Sequence, residues 1–356
     1  MLNSEPGGMS FAAQICAATE QVFRKHPKPF ILDLEIASVA IRLKATNPDL
    51  LSIFSSAIEH HRVTRSHPKA LIRLWSAADA SVERPRMPEA MRQRVIQRRK
   101  DLAPGEPHFI DFDPASRMIT VIDPGIAQVN VCLSSIEHLP ACERAVPLKS
   151  TISWILRQQD IHLLHSAAVL DMSGGALLLG AGGAGKSCAS LRCYQAGMTY
   201  LADDLCAIQA GAIPRVFNVY GTAKTVWSDR EKFEDLQTLL ISQPGSPKAI
   251  YALNQAPVNT IGTSSDIRVL LLLDRNQPVG TVRRANPAKA VAIAASSTGS
   301  FIPGSREQPM LSALANIARC LPVLSISLGE EPQQVAALVK RAIREPEQLL
   351  QDCDDA

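Results

Sequence analysis

Apolar and polar positions divide the chain into two differently patterned halves. Residues 10–24 have room for one short helix, closed by the K-H-P-K-P stretch at 25–29. Residues 30–34 (F-I-L-D-L) and 39–43 (V-A-I-R-L) are apolar-rich and partly alternating, which predicts strands. Residues 48–60 carry Leu50, Leu51, Ile53, Phe54 and Ile58 at helical spacing. Further strands are expected at 70–75, 108–112, 118–122 and 128–132. Residues 30–140 thus read as a small, helix-poor α+β unit.

After Pro147 the pattern changes to helices interleaved with continuous apolar runs. A helix is expected at 148–157, strands at 162–170 and 176–179, a helix at 186–196 and a strand at 199–202. Downstream come a strand at 269–273, a helix at 308–320, a strand at 323–327 and a helix at 332–343. Strands alternating with helices imply βαβ units and an at least partly parallel sheet. The expected organisation is a lead-in over 1–24, a small α+β domain over 25–145, a larger α/β domain over 146–345, and a loose polar tail over 346–356. The tail reads so because it is polar and terminal.

Composition narrows the function classes. The 356 residues suit about two domains. At 46% apolar and 20% charged, the chain can build a core and is neither disordered nor fibrous. Thirty-seven Lys and Arg stand against thirty-four Asp and Glu, a net +3 that gives no footprint for nucleic acid. No apolar run reaches the ~18 residues of a membrane span. Residues 1–13 lack a basic segment followed by an apolar one, so the expected location is cytoplasmic, with no membrane partner. Eight cysteines without a C-x-x-C pair suggest free thiols rather than a zinc site or a disulfide scaffold.

The chemistry concentrates at 180–187, G-A-G-G-A-G-K-S, which fits G-x-x-x-x-G-K-[ST] in full. A short apolar strand precedes it and a helix follows, the setting this phosphate cradle requires. Gly180, Gly182, Gly183 and Gly185, with Ala184 between them, let backbone N–H groups converge on phosphate oxygens. The helix N-terminus, including Cys188, presents positive charge to the same anion. Lys186 is placed to reach the terminal phosphates of ATP, and Ser187 to ligate Mg²⁺. The residues Leu201, Ala202, Asp203 and Asp204 end a strand sixteen and seventeen residues after Ser187. Two carboxylates at that sheet edge suit a metal-side acid and a base for an attacking hydroxyl. Their alternative is an Asp-Asp turn. His165, on the strand toward the loop, reads either as a core histidine or as a site residue.

Residues 164–169 (L-H-S-A-A-V), the cradle, and 200–204 (Y-L-A-D-D) resemble HPr kinase/phosphorylase and its relatives, in which a histidine, a P-loop and an Ala-Asp-Asp follow in this order. A wider resemblance, over most of 25–345, is to the HPr-kinase-like proteins found beside asparagine-synthetase-like enzymes in peptide gene clusters, lasso peptide clusters included. It is carried by 219–224 (V-Y-G-T-A-K), 248–251 (K-A-I-Y), Leu321, Pro322 and Val323. The resemblance implies a P-loop in a mixed sheet with flanking helices, ATP and Mg²⁺ as cofactors, and transfer to a Ser or Thr hydroxyl of a peptide or protein. Some members of that group phosphorylate a C-terminal serine of a precursor peptide. It further implies Asp203 as the base, Ser187 and Asp204 on the metal side, and His165 near the phosphates. HPr kinases assemble as hexamers, so a homo-oligomer is one open arrangement here. The Glu-x-Arg-Gly signature of HPr kinase/phosphorylase is missing: 216–227 reads V-F-N-V-Y-G-T-A-K-T-V-W. Asp229 and Glu231 are the nearest acids that could substitute. Lys224 reads as a phosphate- or acceptor-binding cation, or as a surface lysine. The competing functions are a nucleotide-gated partner of a neighbouring enzyme and a small-molecule kinase.

Overall fold

The computed structural model describes residues 9–64, 67–98, 108–257, 261–299 and 308–354. These form two compact units that divide between Ile155 and Leu156, ten residues beyond the boundary expected at 145/146.

The first unit contains α1 (Phe11–Lys25), β1 (Phe30–Ile36), β2 (Val39–Ala45), α2 (Pro48–Ser55), β3 (Ala70–Ser76), α3 (Ala77–Ala80), α4 (Glu89–Arg98), β4 (Phe109–Asp113), β5 (Met118–Asp123), β6 (Gln128–Leu133) and α5 (Ala141–Ala145). Its sheet runs β1-β2-β3-β6-β5-β4, parallel only at β2–β3 and β3–β6. The short helix for which residues 10–24 have room forms as α1, for a definite reason. Ser10 caps α1 by accepting from Ala13 N, and Phe11, Ile15, Ala18 and Val22 form one apolar stripe. The stripe packs on Trp75, Ile119, Val121 and Cys132. Trp75 Nε1–H donates to Thr19 Oγ1 at 2.9 Å, so the buried indole is satisfied. The helix expected over 48–60 stops at Ser55 and is followed by a single 3₁₀ turn at Glu59–His61. Polar α4 was not expected. Residues 1–8 of the lead-in lie outside the described residues.

After α6 (Lys149–Arg157), the second unit contains β7 (His162–Leu164), β8 (Ala167–Asp171), β9 (Gly174–Leu179), α7 (Lys186–Gln195), β10 (Thr199–Ala202), β11 (Cys206–Gln209), β12 (Arg215–Phe217), β13 (Thr222–Val226), β14 (Lys248–Ala252), β15 (Ser264–Leu273), β16 (Val282–Arg284), α8 (Pro287–Gly299), α9 (Gln308–Cys320), β17 (Val323–Ile326), α10 (Pro332–Arg344) and α11 (Pro346–Asp354). A nine-stranded mixed sheet runs β10-β8-β9-β15-β12-β11-β7, with β17 and β16 continuing from β15. β9, β15 and β17 are parallel, in the register Leu177↔Leu270↔Val323. Their side chains alternate between two cores. Leu177, Leu179, Leu270 and Leu272 meet Ala290, Ala294, Leu314 and Ile317 of α8 and α9. Ala176, Leu178, Val269 and Leu271 meet Ala189, Val335, Val339 and Ile343 of α7 and α10. Burial on both faces is why residues 176–179 and 269–273 read as unbroken apolar runs.

Two expectations are corrected. The strand expected at 162–170 is broken at His165 and Ser166, so that β7 pairs with β11 while β8 pairs with β9 and β10. Two residues thus link β7, at one end of the sheet path, to β8, the strand next to its other end. The polar tail is not loose over 346–354: α11 forms there, with Leu349 buried in the α10 core. Its apolar content was too low to show as a stripe.

Candidate active site

β8 is antiparallel to both β9 and β10. The C-terminal ends of β9 and β10 therefore share an edge with the start of β8. This brings the glycine-rich loop, the acid pair and His165 together, as ligand sites in open α/β sheets are assembled.

The loop leaves β9 at Gly180 and enters α7 at Lys186. Gly183 (φ +80°) and Gly185 (φ +98°) hold left-handed backbone that disfavours a side chain. A Cβ on Gly182 or Gly183 would meet nothing within 4 Å, so the rim of the cradle is open. Lys186 is buried, and its Nζ donates to the carbonyls of Gly180 (2.8 Å) and Ala181 (3.2 Å). Burial lowers its pKa, opposed by the charges of Asp203 and Asp204. The two carboxylates therefore act electrostatically on the loop lysine.

Asp203 is only 1% exposed. Its Oδ2 accepts from Lys224 N at 2.9 Å, whereas its Oδ1 is buried without a close hydrogen-bond partner. Burial and then the neighbouring Asp204 charge raise its pKa; the Lys224 N–H, the Ser187 hydroxyl and the Lys224 charge pull it back only in part. Asp204 sits in left-handed backbone at φ +68°, unusual for a non-glycine residue and the kind of strain that accumulates at functional positions. Lys224 Nζ donates to its Oδ2 at 2.7 Å, and His165 Nε2 lies 3.4 Å from its Oδ1. Burial alone would raise the Asp204 carboxyl, but the His165 hydrogen bond and the charge and hydrogen bond of Lys224 overrule it and hold it well below the carboxylate range.

His165 is fixed from behind by α8. Its Nδ1 hydrogen-bonds Ser297 Oγ. Its backbone N–H donates to Thr298 Oγ1 at 3.0 Å, and that hydroxyl donates to Ala294 O at 2.7 Å. With Asp204 ionised, the Nε2 proton is directed toward Asp204. Lys224 is positioned by β13, which Tyr200 ties to β10 through a 2.7 Å hydrogen bond from its hydroxyl to Thr222 O. Asn218 supports the same strand end by donating to Leu201 O and Tyr220 O.

Every sequence-predicted site residue therefore lies at this edge or in the loop and helix start beside it. Lys224 belongs to the cluster; its reading as a surface lysine does not survive the ion pair. Of the two substitute acids, Asp229 comes within 4.0 Å of Cys188 Sγ at the start of α7, whereas Glu231 is turned outward onto Arg230. Ser297 and Thr298 were missed. No local signal marks them, because they meet His165 from more than 130 residues away.

The donor set suits a nucleotide phosphate and a hard cation. The open cradle, a buried lysine and an orphaned carboxylate oxygen near a serine hydroxyl all lack only an anion–cation pair of that kind. Both Asp204 oxygens already have partners, so a cation there would share the carboxylate with Lys224. Among the described residues no cluster of three or more His, Cys, Asp or Glu forms a metal centre. No described helix is long and apolar enough to cross a membrane.

No protein-family model matches the chain, and no curated protein matches it. Among solved structures, the Hpr(Ser) kinase/phosphatase from Coxiella burnetii matches with a TM-score of 0.30 and 12% identity, over 52% of this chain and 99% of that one. A likeness at that TM-score carries no weight for the chemistry, which rests on the geometry above.

Proposed function

We propose that the chain is an Mg²⁺- and ATP-dependent kinase that phosphorylates a serine or threonine hydroxyl on a peptide or protein. The observation that carries this reading is the convergence of Lys186 and Ser187 with the buried pair Asp203 and Asp204, whose charges act on the loop lysine. MgATP would supply the phosphoryl group and the metal charge. The loop N–H groups and Lys186 would bind the phosphates and hold them in line, the dominant task in phosphoryl transfer. Ser187 and Asp204, the latter kept ionised by its partners, would face the metal. Asp203, with a raised proton affinity and an unpartnered oxygen, would accept the proton of the attacking hydroxyl. His165 would hold Asp204 in register.

The acceptor class follows from the sequence resemblance, which favours a peptide and, within that class, the C-terminal serine of a lasso-type precursor. Recognition of that peptide, or assembly of a homo-oligomer, falls to the first unit. The competing nucleotide-gated partner would show ATP consumption without a phosphorylated product. The test is intact mass spectrometry after incubation with MgATP and candidate peptides. One added phosphoryl group is expected with the wild type. It should disappear with Asp203→Asn while ATP binding persists, and both should disappear with Lys186→Ala. Transfer at the wild-type rate by Asp203→Asn would refute the base, and full activity of Lys186→Ala would refute the cradle.

A further inference from the structure

β15 is parallel to β9 and directly beside it, so its C-terminal end reaches the same edge as the glycine-rich loop. The buried run Leu270–Leu273 ends there in Asp274 and Arg275. A Cβ built on Gly185 would lie 3.1 Å from Arg275 Nη2, 3.3 Å from its Nε and 3.5 Å from its Cζ. The guanidinium is therefore laid against the loop backbone where α7 begins. Asp274 does not neutralise it: its oxygens accept from Asn276 N at 3.0 Å and Gln277 Nε2 at 2.9 Å. Among the described residues Arg275 forms no hydrogen bond or ion pair.

A cation without a counter-charge beside a helix N-terminus is electrostatically unfavourable by itself. The arrangement becomes favourable when an anion binds between the two. Stacking on a nucleobase is the other use of an exposed arginine. The cleft shared by Gly185, Cys188, Arg192, Leu273, Arg275 and Leu328 measures about 30 Å³, however, too small to enclose a base, whereas an anion needs only the open loop rim beside the guanidinium. Phosphate is the ligand class that a planar guanidinium fork fits there.

We infer that Arg275 is a phosphate-binding residue of the nucleotide site, delivered to the cradle from β15. The inference rests on the nucleotide reading above. It is tested by titration calorimetry of the full chain, with Mg²⁺, against ATP and against inorganic tripolyphosphate. Arg275→Met, which keeps much of the side-chain bulk but removes the charge, should weaken both ligands by a similar factor, about 10- to 100-fold for a lost charge-assisted contact. Arg275→Lys, a point charge without the fork, should fall between. Unchanged thermal unfolding of Arg275→Met would exclude a folding effect. Wild-type affinity of Arg275→Met for both ligands would overturn the inference and leave the cradle standing. Weakened ATP with unchanged tripolyphosphate would also overturn it, pointing to a base contact. A wild-type chain that binds neither ligand would sink the nucleotide reading and this inference with it.

Discussion

Lys224→Met removes an ammonium from the most heavily charged part of the site while keeping its aliphatic stem. The pair it breaks is 2.7 Å long, with side-chain exposures of 13% for Lys224 and 15% for Asp204. At an effective dielectric of about 20, the gross attraction is about 6 kcal/mol. Desolvation opposes most of that, and breaking one side of a buried pair costs about 3–5 kcal/mol. His165 remains beside the abandoned carboxylate, which places the expected loss near the lower end, about 3 kcal/mol at pH 7. The pH dependence has a definite sign. Asp204 has a folded pKa held below its ordinary value of 3.8, so its contribution is fully present above that value and is lost as pH falls through it toward the folded pKa. In Lys224→Met the folded pKa rises, and the contribution disappears. The stability gap between variant and wild type should therefore be full above about pH 5 and narrow steadily toward pH 3. Removing the Lys224 charge also raises Asp203, which acts in the same direction. Urea unfolding of both proteins across this range, followed by circular dichroism, measures the gap directly. A difference under about 0.5 kcal/mol at pH 7, the size of an exposed pair, would show that the pair is solvated. A gap of undiminished size at pH 3 would show that the loss has nothing to do with Asp204.

Two further outcomes bear on the loop and on His165. Gly185→Ala forces a side chain into backbone at φ +98° and against Arg275, which should cost at least about 1 kcal/mol in unfolding experiments and weaken ATP binding; unchanged stability would mean that the loop relaxes freely. Ser297→Ala deletes the hydrogen bond behind His165, which should lower kcat about 5- to 10-fold with little change in KM for ATP. Ser297→Thr should restore it, and an unaltered kcat in Ser297→Ala would remove His165 orientation from the mechanism.

Parts of this structure that depend on local pattern were legible in the chain. The apolar runs that end β9 and β15, the glycine spacing and the adjacent aspartates each announce themselves within ten residues. Elements settled by distant partners did not. The run at 162–170 is apolar apart from His162, His165 and Ser166, and a His-Ser pair looks the same whether it lies within one strand or where the chain passes between two pairing partners. Helix α8 is built on alanines, with Ala290 and Ala294 facing the core, and so lacks the contrast that marks an amphipathic helix. Lys224 shows no local sign of burial, because its carboxylate partner lies twenty residues back, just past the end of β10.

The placement of β9 between a near neighbour and a distant one sets an order of assembly. Its pairing with β8 is a tight hairpin through residues 171–174, which closes with little loss of chain freedom. Its pairing with β15 joins Leu177 to Leu270 across about ninety residues, a slow event for a folding chain. The turn at 180–185 has only one of its walls until that second event, and Arg275 arrives with it. Local closure first and distant pairing second would complete the phosphate cradle late in folding. A nucleotide that binds it would slow unfolding far more than it speeds folding.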